Sequence, residues 1–532
     1  MTLNREADPR STDLLRFLML FGSMLAMVLA SWPTEFSFDL WVFKDRGNFL
    51  NFAYLLDKGF RPGVDTYYLY GLLPVLLQDV VFDLFGRGPW PIIGLHVCYL
   101  ALMSAALTVV VRHTPKPMLW NLGAIALVPI IIWVNPNLSY VLVQVTMLWS
   151  IALLLERRYR LAVVVSAFGC WSVPSMPLVL SASLVVLLFA CWWLEGPRTL
   201  KRLLQLGYPG LLAYLGIGAG LAAYFGIDSV LATALPFQGA SFYKAVNYGF
   251  LSSLKVFLYP GQTESRPNWS ALRYFVFDRA TWWVLATVLL TVFGTRGFLR
   301  MWRERQLDPK ALFVLFCAVM QIVFILVAYG TPPQHIIYDP LVAAGTLLGL
   351  SMLAASRARN LLIGVFFTVT ALSHGNQASY TWWLWKATKP SPDSAGFYSP
   401  PEFTSAWKEV VDLSKQRPVF LLSYATGVHH YFPTIDTAES WLIQWGQTLP
   451  PDRERLLAKL RTAEVVVEDV TGITTIFERD EEIKAELAKL CMFRMNPYFI
   501  YWSRTPDPVT GECRTYVKEL PADPRMRGEN AV

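Results

Sequence analysis

The chain has 532 residues, of which 54% are hydrophobic and only 16% are charged, and its mean hydropathy is +0.38. A soluble domain carries about 25% charged residues, so this composition excludes an ordinary globular protein. The formal net charge is +7. Most of the basic residues fall in short loops between apolar runs, so membrane topology explains them before nucleic acid does.

Apolar runs long enough to cross a bilayer core of about 30 Å recur along the first 380 positions. The first follows three arginines and is longer than the apolar part of a cleaved signal peptide, so we expect a retained helix. We predict about eleven transmembrane helices. They lie at 14–32, 90–111, 118–134, 138–155, 160–173, 175–194, 203–225, 282–299, 311–329, 338–355 and 360–379.

The loops between these runs alternate in charge. If the N-terminus lies in the cytoplasm, every loop that returns there contains Arg or Lys, and the short loops on the other side contain neither. This is the positive-inside pattern of multi-pass membrane proteins. It predicts that loops 33–89 and 226–281 and the C-terminal part face outward, and a bacterial inner membrane fits the short loops.

The composition changes after the last apolar run. A transmembrane domain at 1–380 is followed by a Pro/Ser-rich linker at 381–400 and by a soluble domain at 401–520. Helical patterns alternate there with short β runs, which is typical of a small α/β domain. The helices are predicted at 402–416, 452–462 and 479–491, and the strands at 419–423, 464–468 and 498–502.

The fold class is therefore a mostly α, polytopic helical bundle with a small C-terminal α/β domain. Residues 521–532 are rich in Pro, Arg and Glu, which predicts disorder. In an oxidising compartment Cys491 and Cys513 would be able to form a disulfide. The sequence contains no Walker A, GxGxxG, HExxH, paired CxxC or EF-hand pattern, which disfavours an ATP-driven pump or an NAD enzyme.

Loop 33–89 is the informative segment. Phe49, Phe52, Ala53 and Leu56 recur at helical spacing, and Gly59 follows as a residue able to end the helix. A second amphipathic run extends from Leu69 to Leu84. The pattern predicts two helices lying in the membrane interface, at the depth of the lipid headgroups.

A series of landmarks runs along this loop at regular positions. They are Asp45, Gly59, Arg61-Pro62-Gly63-Val64-Asp65, Tyr70-Gly71-Leu72-Leu73 and Leu84-Phe85-Gly86. Their order and spacing resemble the first periplasmic loop of the GT-C glycosyltransferases, the polyprenyl-phosphate-sugar-dependent group that includes protein mannosyltransferases and bacterial aminoarabinose transferases. The sequence departs from that pattern at Arg46, where the family usually has Glu, and at Leu72, where it has Pro.

The resemblance implies inverting transfer of a sugar from a polyprenyl-phosphate donor to an acceptor hydroxyl of a lipid, glycan or protein. Asp45 is then the candidate general base. Positive charge stabilises a leaving phosphate, and the candidate substrate-binding residues are Asp65, Arg46, His335, Arg266 and Arg273. The resemblance makes no cofactor certain. A divalent metal ion stays open, although Arg46 in place of the Glu argues against a scheme that needs two adjacent carboxylates.

Simpler interpretations stand beside these. Asp45 suits the N-cap of a helix, Asp65 suits a turn, and His335 suits an interfacial anchor. A transporter or lipid flippase, a non-catalytic subunit of an envelope-polysaccharide assembly system and an oligosaccharide ligase are the alternative functions. The spans contain few charges and no repeat, which disfavours a transporter.

Overall fold

A computed structural model describes residues 9–43, 45–66, 71–131, 138–173, 189, 192–193, 199–234, 279–327, 339–423, 427–438, 450–469 and 481–505. The described part is mostly helical up to residue 387 and contains a small β-sheet after it. The helices of the first part are α1 (Pro9–Ala30), α2 (Trp32–Glu35), α3 (Asp45–Asp57), α4 (Leu72–Phe85), α5 (Pro89–Arg112), α6 (Pro117–Ala126), α7 (Val128–Ile131), α8 (Leu138–Leu155), α9 (Tyr159–Cys170), α10 (Leu200–Phe225), α11 (Ile227–Ala234), α12 (Arg279–Glu304), α13 (Pro309–Val327), α14 (Asp339–Ser351), α15 (Arg357–Leu372) and α16 (Gly375–Ala387).

Five of the described helices, namely α1, α5, α8, α10 and α12, are long and apolar enough to cross a membrane. Such helices are those of an integral membrane protein. The most apolar 18-residue window of α8 is 89% buried, and that of α10 is only 17% buried. Helix α8 therefore runs through the middle of the bundle, whereas α10 turns most of its side chains outward.

The other predicted spans are shorter or interrupted, so the count of eleven is not confirmed. The run at 118–134 divides into α6 and α7 because Pro129 has no N–H to donate and its ring clashes with the preceding turn. The run at 160–173 gives the 12 residues of α9, and that at 338–355 gives the 13 residues of α14. Most of the run at 175–194 lies outside the described residues.

The C-terminal part folds as an α/β unit, as its pattern predicts. Its elements are β1 (Lys389–Pro390), β2 (Tyr398–Ser399), α17 (Pro401–Gln416), β3 (Val419–Leu422), α18 (Val428–Tyr431), β4 (Ile435–Thr437), α19 (Pro450–Thr462), β5 (Val465–Asp469), α20 (Glu481–Leu487), β6 (Cys491–Met495) and β7 (Phe499–Ser503). Five strands form one sheet in the order β4-β3-β5-β7-β6. Strand β3 runs parallel to β4 and β5, and β7 runs antiparallel to β5 and β6.

The three central strands of this sheet, β3, β5 and β7, are buried on both faces, which explains their largely apolar sequences. On one face Phe420, Val466 and Trp502 pack with α19 and α20 in a core of their own. On the other face Leu421 and Val467 belong to the same core as the membrane helices and loop 33–89.

Four of the strands in the described residues, β1, β2, β4 and β6, were not predicted from the sequence. The helix predicted at 479–491 ends at Leu487, and Cys491 begins β6 instead. Strand β4 was not predicted because only three residues form it. Cys491 is disulfide-bonded, and Cys513, its predicted partner, lies outside the described residues.

Candidate functional site

The candidate site is built on loop 33–89. A π-helical turn, Asp39–Phe43, is followed by α3, which begins at Asp45. Such π-helical turns occur often at functional sites. The side chain of Asp45 and the whole of Lys44 lie outside the described residues, so only the backbone position of the predicted base is described.

Helix α3 has the apolar face that the sequence predicts, but protein covers that face. Phe49, Phe52 and Ala53 are 4%, 2% and 2% exposed, respectively. The side-chain amide of Gln78 in α4 donates a hydrogen bond to the carbonyl of Phe49 at 2.9 Å. The two helices of the loop are therefore joined to each other, and α3 lies in the protein core. Their depth in the membrane stays a prediction.

Arg46 is fully buried, which its place in the motif does not suggest. Its guanidinium donates to Glu35 at 2.8 Å and to Nδ1 of His96 at 3.4 Å, and it lies 5.8 Å from the ring centroid of Trp41. Burial raises the pKa of Glu35, and the charge of Arg46 opposes that rise. Arg46 therefore balances an internal carboxylate. Sequence reasoning missed Glu35, although an acidic residue just after the first span was a usable signal.

Asp65 forms the turn that its sequence context suggests. Its carboxylate accepts hydrogen bonds from the backbone N–H of Arg61 at 2.9 Å and from the Arg61 guanidinium at 2.9 and 3.1 Å. The Arg61 guanidinium holds the pKa of Asp65 below its usual range. Arg61 also lies 3.4 Å from Asp228 of α11, and its side chain is 49% exposed. The pair thus presents an oriented, accessible guanidinium.

The landmark glycines of the loop each meet a backbone requirement. Gly59 has φ +80° after the end of α3, and Gly86 has φ +80° after the end of α4. These are conformations that L side chains rarely adopt. Gly71 lies so close to Trp171 that an added Cβ would be 1.9 Å from its carbonyl oxygen. The spacing of the motif therefore fixes where its helices begin and end.

A second polar cluster lies near the C-terminal ends of α3 and α4. Arg87 donates to both carboxylate oxygens of Asp57 at 2.5 and 2.8 Å. The Tyr224 hydroxyl at the end of α10 donates to Asp79. Desolvation by burial and the nearby charge of Arg87 lower the pKa of His430. The Asp79 carboxylate is thus hydrogen-bonded to another helix, α10.

The other predicted site residues are not among those that the structure describes. His335, Arg266 and Arg273 lie outside the described residues. Glu35, Asp57 and Asp65 are each paired with an arginine. Within the described ranges no group of three or more His, Cys, Asp or Glu side chains is placed to hold a metal ion.

The soluble domain is in direct contact with this loop. The ring centroids of Phe38, just before the π-helical turn, and of Phe43, its last residue, lie 5.4 and 5.3 Å from that of Trp407. The Tyr398 N–H donates to the carbonyl of Phe36 at 2.8 Å. Arg455 donates to the carbonyl of Asp65 at 3.0 Å. The domain therefore contacts the loop at three points along its length.

No family model matches the chain, and no curated protein matches it significantly. The chain is similar to a solved structure, ArnT from Cupriavidus metallidurans bound to undecaprenyl phosphate. The match covers 91% of this chain and 97% of ArnT, with 12% sequence identity and a TM-score of 0.36. A TM-score this low is not sufficient to infer the fold or site of one chain from the other.

Proposed function

We propose that the chain is a membrane glycosyltransferase that moves a sugar from a polyprenyl-phosphate donor to an acceptor hydroxyl at the outer face of the membrane. The observation that carries this is the construction of loop 33–89. Its landmark glycines Gly59, Gly71 and Gly86 lie at the ends of helices α3 and α4, where the backbone turns or packs closely. Asp45 is the first residue of α3. The acceptor, whether lipid, glycan or protein, is left open.

In this reaction Asp45 is the general base. It takes the proton of the acceptor hydroxyl as that oxygen attacks the anomeric carbon, and the bond from that carbon to the phosphate oxygen breaks. The phosphate leaves on the polyprenyl lipid with the bonding electrons. Because the acceptor oxygen attacks from the opposite face, the configuration at the anomeric carbon inverts. A correctly placed base accelerates such a step by about 10²–10⁴-fold.

The leaving phosphate needs fixed positive charge near it. Arg46 is buried in an ion pair with Glu35. The guanidinium of Arg61, in contrast, is accessible to solvent and is oriented by its ion pair with Asp65. We therefore assign Arg61 as the arginine of the first loop that contacts the phosphate, with Asp65 orienting it. His335, Arg266 and Arg273 stay in the proposal as further phosphate contacts from the outer segments.

The test is sugar transfer by the purified protein in nanodiscs, with radiolabelled polyprenyl-phosphate sugars and a native membrane extract as the source of acceptor. Asp45→Asn is expected to lower the rate by at least about 100-fold because the proton loses its acceptor. Asp83→Asn is the matched control, because Asp83 is an exposed carboxylate on the same loop.

Three outcomes are distinguishable in this assay. Loss of transfer in Asp45→Asn alone, with both variants folded, supports the enzyme and its base. Equal transfer by all three proteins removes Asp45 from the mechanism. A wild-type protein that transfers none of the donors, in an extract where a known transferase does, contradicts the proposed activity and favours the non-catalytic subunit or the transporter.

A further inference from the structure

Gly427, in the soluble domain, contacts the loop at the point where its backbone leads into Asp45. The residue precedes α18, and its N–H donates to the carbonyl of Val42 at 3.0 Å. Its own conformation is φ −85° and ψ −3°, which any residue adopts. Local backbone conformation therefore does not require glycine at this position.

The close packing of Gly427 against the loop does require glycine. A Cβ added to Gly427 would lie 2.1 Å from the carbonyl oxygen of Trp41 and 3.2 Å from the Cα of Gly47. A separation below 3.0 Å essentially never occurs, and both of these neighbours are backbone atoms that cannot rotate away. Any larger residue at 427 must displace the loop, the domain or both.

These two contacts lie on either side of Asp45 in the sequence. Trp41 and Val42 belong to the π-helical turn before it, and Gly47 belongs to the first turn of α3 after it. The next turns of α3 are held by the same segment, because the ring of His429 stacks on Tyr54 with centroids 4.6 Å apart and planes at 14°. Residues 427–429 thus contact the backbone before Asp45 and the helix after it.

We infer that Gly427 is a positioning residue for the proposed reaction, and that the soluble domain sets the place of the Asp45 backbone through it. The inference rests on the proposed role of Asp45. General-base catalysis depends on hydrogen-bond reach, and a displacement of about 1 Å from a remote change costs about 10²-fold in rate. The domain is then part of the catalytic unit rather than a cover over it.

The experiment compares full-length wild type, Gly427→Ala and Gly94→Ala in nanodiscs. Gly94→Ala is the matched control, since nothing lies within 4 Å of the position of its added Cβ. We expect Gly427→Ala to lower kcat by at least about tenfold while the KM for the donor stays within about twofold, because the base is displaced and the donor contacts are not. Gly94→Ala is expected to match the wild type.

A second measurement does not depend on activity. Hydrogen exchange of peptides covering 36–57 is expected to be at least about tenfold faster in Gly427→Ala than in the other two proteins. Unchanged exchange overturns the inference, and so does faster exchange with unchanged kcat. A wild type without transfer contradicts the proposed function instead, and the exchange result still decides whether Gly427 holds the loop.

His429→Ala is the second variant, for the case in which Gly427→Ala does not fold. It removes the ring stacked on Tyr54 and adds no atom to the interface. We expect kcat to fall by about threefold or more at constant KM, with faster exchange in 45–57. Wild-type values for both quantities in this variant overturn the inference if Gly427→Ala does not fold.

Discussion

At the scale of single residues, the arginine that follows Asp45 is explained by a carboxylate eleven positions before it. Arg46 and Glu35 are both buried, at 0% and 3% exposure. A buried charge is costly unless it is paired, so neither residue is expected to tolerate loss of the other. The Arg at the position where the resembling family has Glu is therefore accompanied by a Glu elsewhere in the same loop. Arg46, where the sequence differs from the motif, is therefore paired inside the protein with Glu35.

Glu468, at the end of β5, makes the stability of the soluble domain depend on pH. Desolvation by burial raises the pKa of this carboxyl to about 7, the charge of Asp469 adds to the rise, and the hydrogen bond from Trp502 opposes it. The folded state then holds a proton that the unfolded state loses above its ordinary pKa of 4.5. The contribution of this carboxyl to stability is therefore fully present below about pH 4.5 and is lost as the pH rises to about 7.

We therefore expect Glu468→Gln to be close to wild type in stability near pH 5 and more stable than wild type at pH 8. The difference is at most about 3.5 kcal/mol, from about 1.4 kcal/mol for each pKa unit. Thermal unfolding of the full-length protein in detergent, measured from pH 5 to pH 8, gives the comparison. A difference between the two proteins that does not change with pH contradicts the assignment.

At the scale of elements, α4 begins against the end of α9. The N–H groups of Gly71 and Leu73 donate to the carbonyls of Ser172 and Trp171 at 2.9 and 3.2 Å. The end of one helix leaves carbonyls free and the start of another leaves N–H groups free, so each helix end satisfies the other. Trp171 is itself held, because its ring stacks on Tyr214 with centroids 4.8 Å apart.

Gly71→Ala is expected to separate these two helix ends. The added Cβ would lie 1.9 Å from the Trp171 carbonyl oxygen, and the φ of −72° at Gly71 suits alanine, so only the contact is changed. Overpacking of this kind costs about 1–3 kcal/mol. The midpoint of thermal unfolding should fall, whereas Gly364→Ala, which meets nothing within 4 Å, should leave it unchanged. Equal unfolding midpoints for Gly71→Ala and Gly364→Ala would show that the end of α9 moves aside without loss of stability.

The parts of this architecture that the sequence predicts are the local ones. Gly59 and Gly86 end helices where the motif places them, because a positive φ is a property of the residue itself. The strands β3, β5 and β7 follow from apolar runs. The pairing of Arg46 with Glu35 and the close approach of Gly427 to Trp41 depend on contacts between distant segments, which no periodicity encodes. The burial of the apolar face of α3 against other parts of the protein also depends on distant segments.

At the scale of the whole molecule, the loop after the first span and the soluble sheet share one core. Phe38 is 1% exposed, and its ring centroid lies 5.6, 5.4 and 6.0 Å from those of Phe403, Trp407 and Phe432. Aromatic rings at these separations add to the free energy of burial. A soluble domain that buries one sheet face on the membrane part is expected to unfold together with that contact.

Phe38→Ala tests this coupling, because the residue lies in the membrane part and its partners lie in the soluble domain. Truncation of a buried Phe costs about 3–5 kcal/mol, and we expect the loss to appear in the sheet as faster hydrogen exchange in peptides containing β3 and β5. Phe85→Ala is the control, since Phe85 is 73% exposed. If exchange in the sheet stays at the wild-type rate while the loop alone loosens, the two parts unfold independently. Gly427 could then not transmit the position of the domain to Asp45, so the same result would also count against the positioning role.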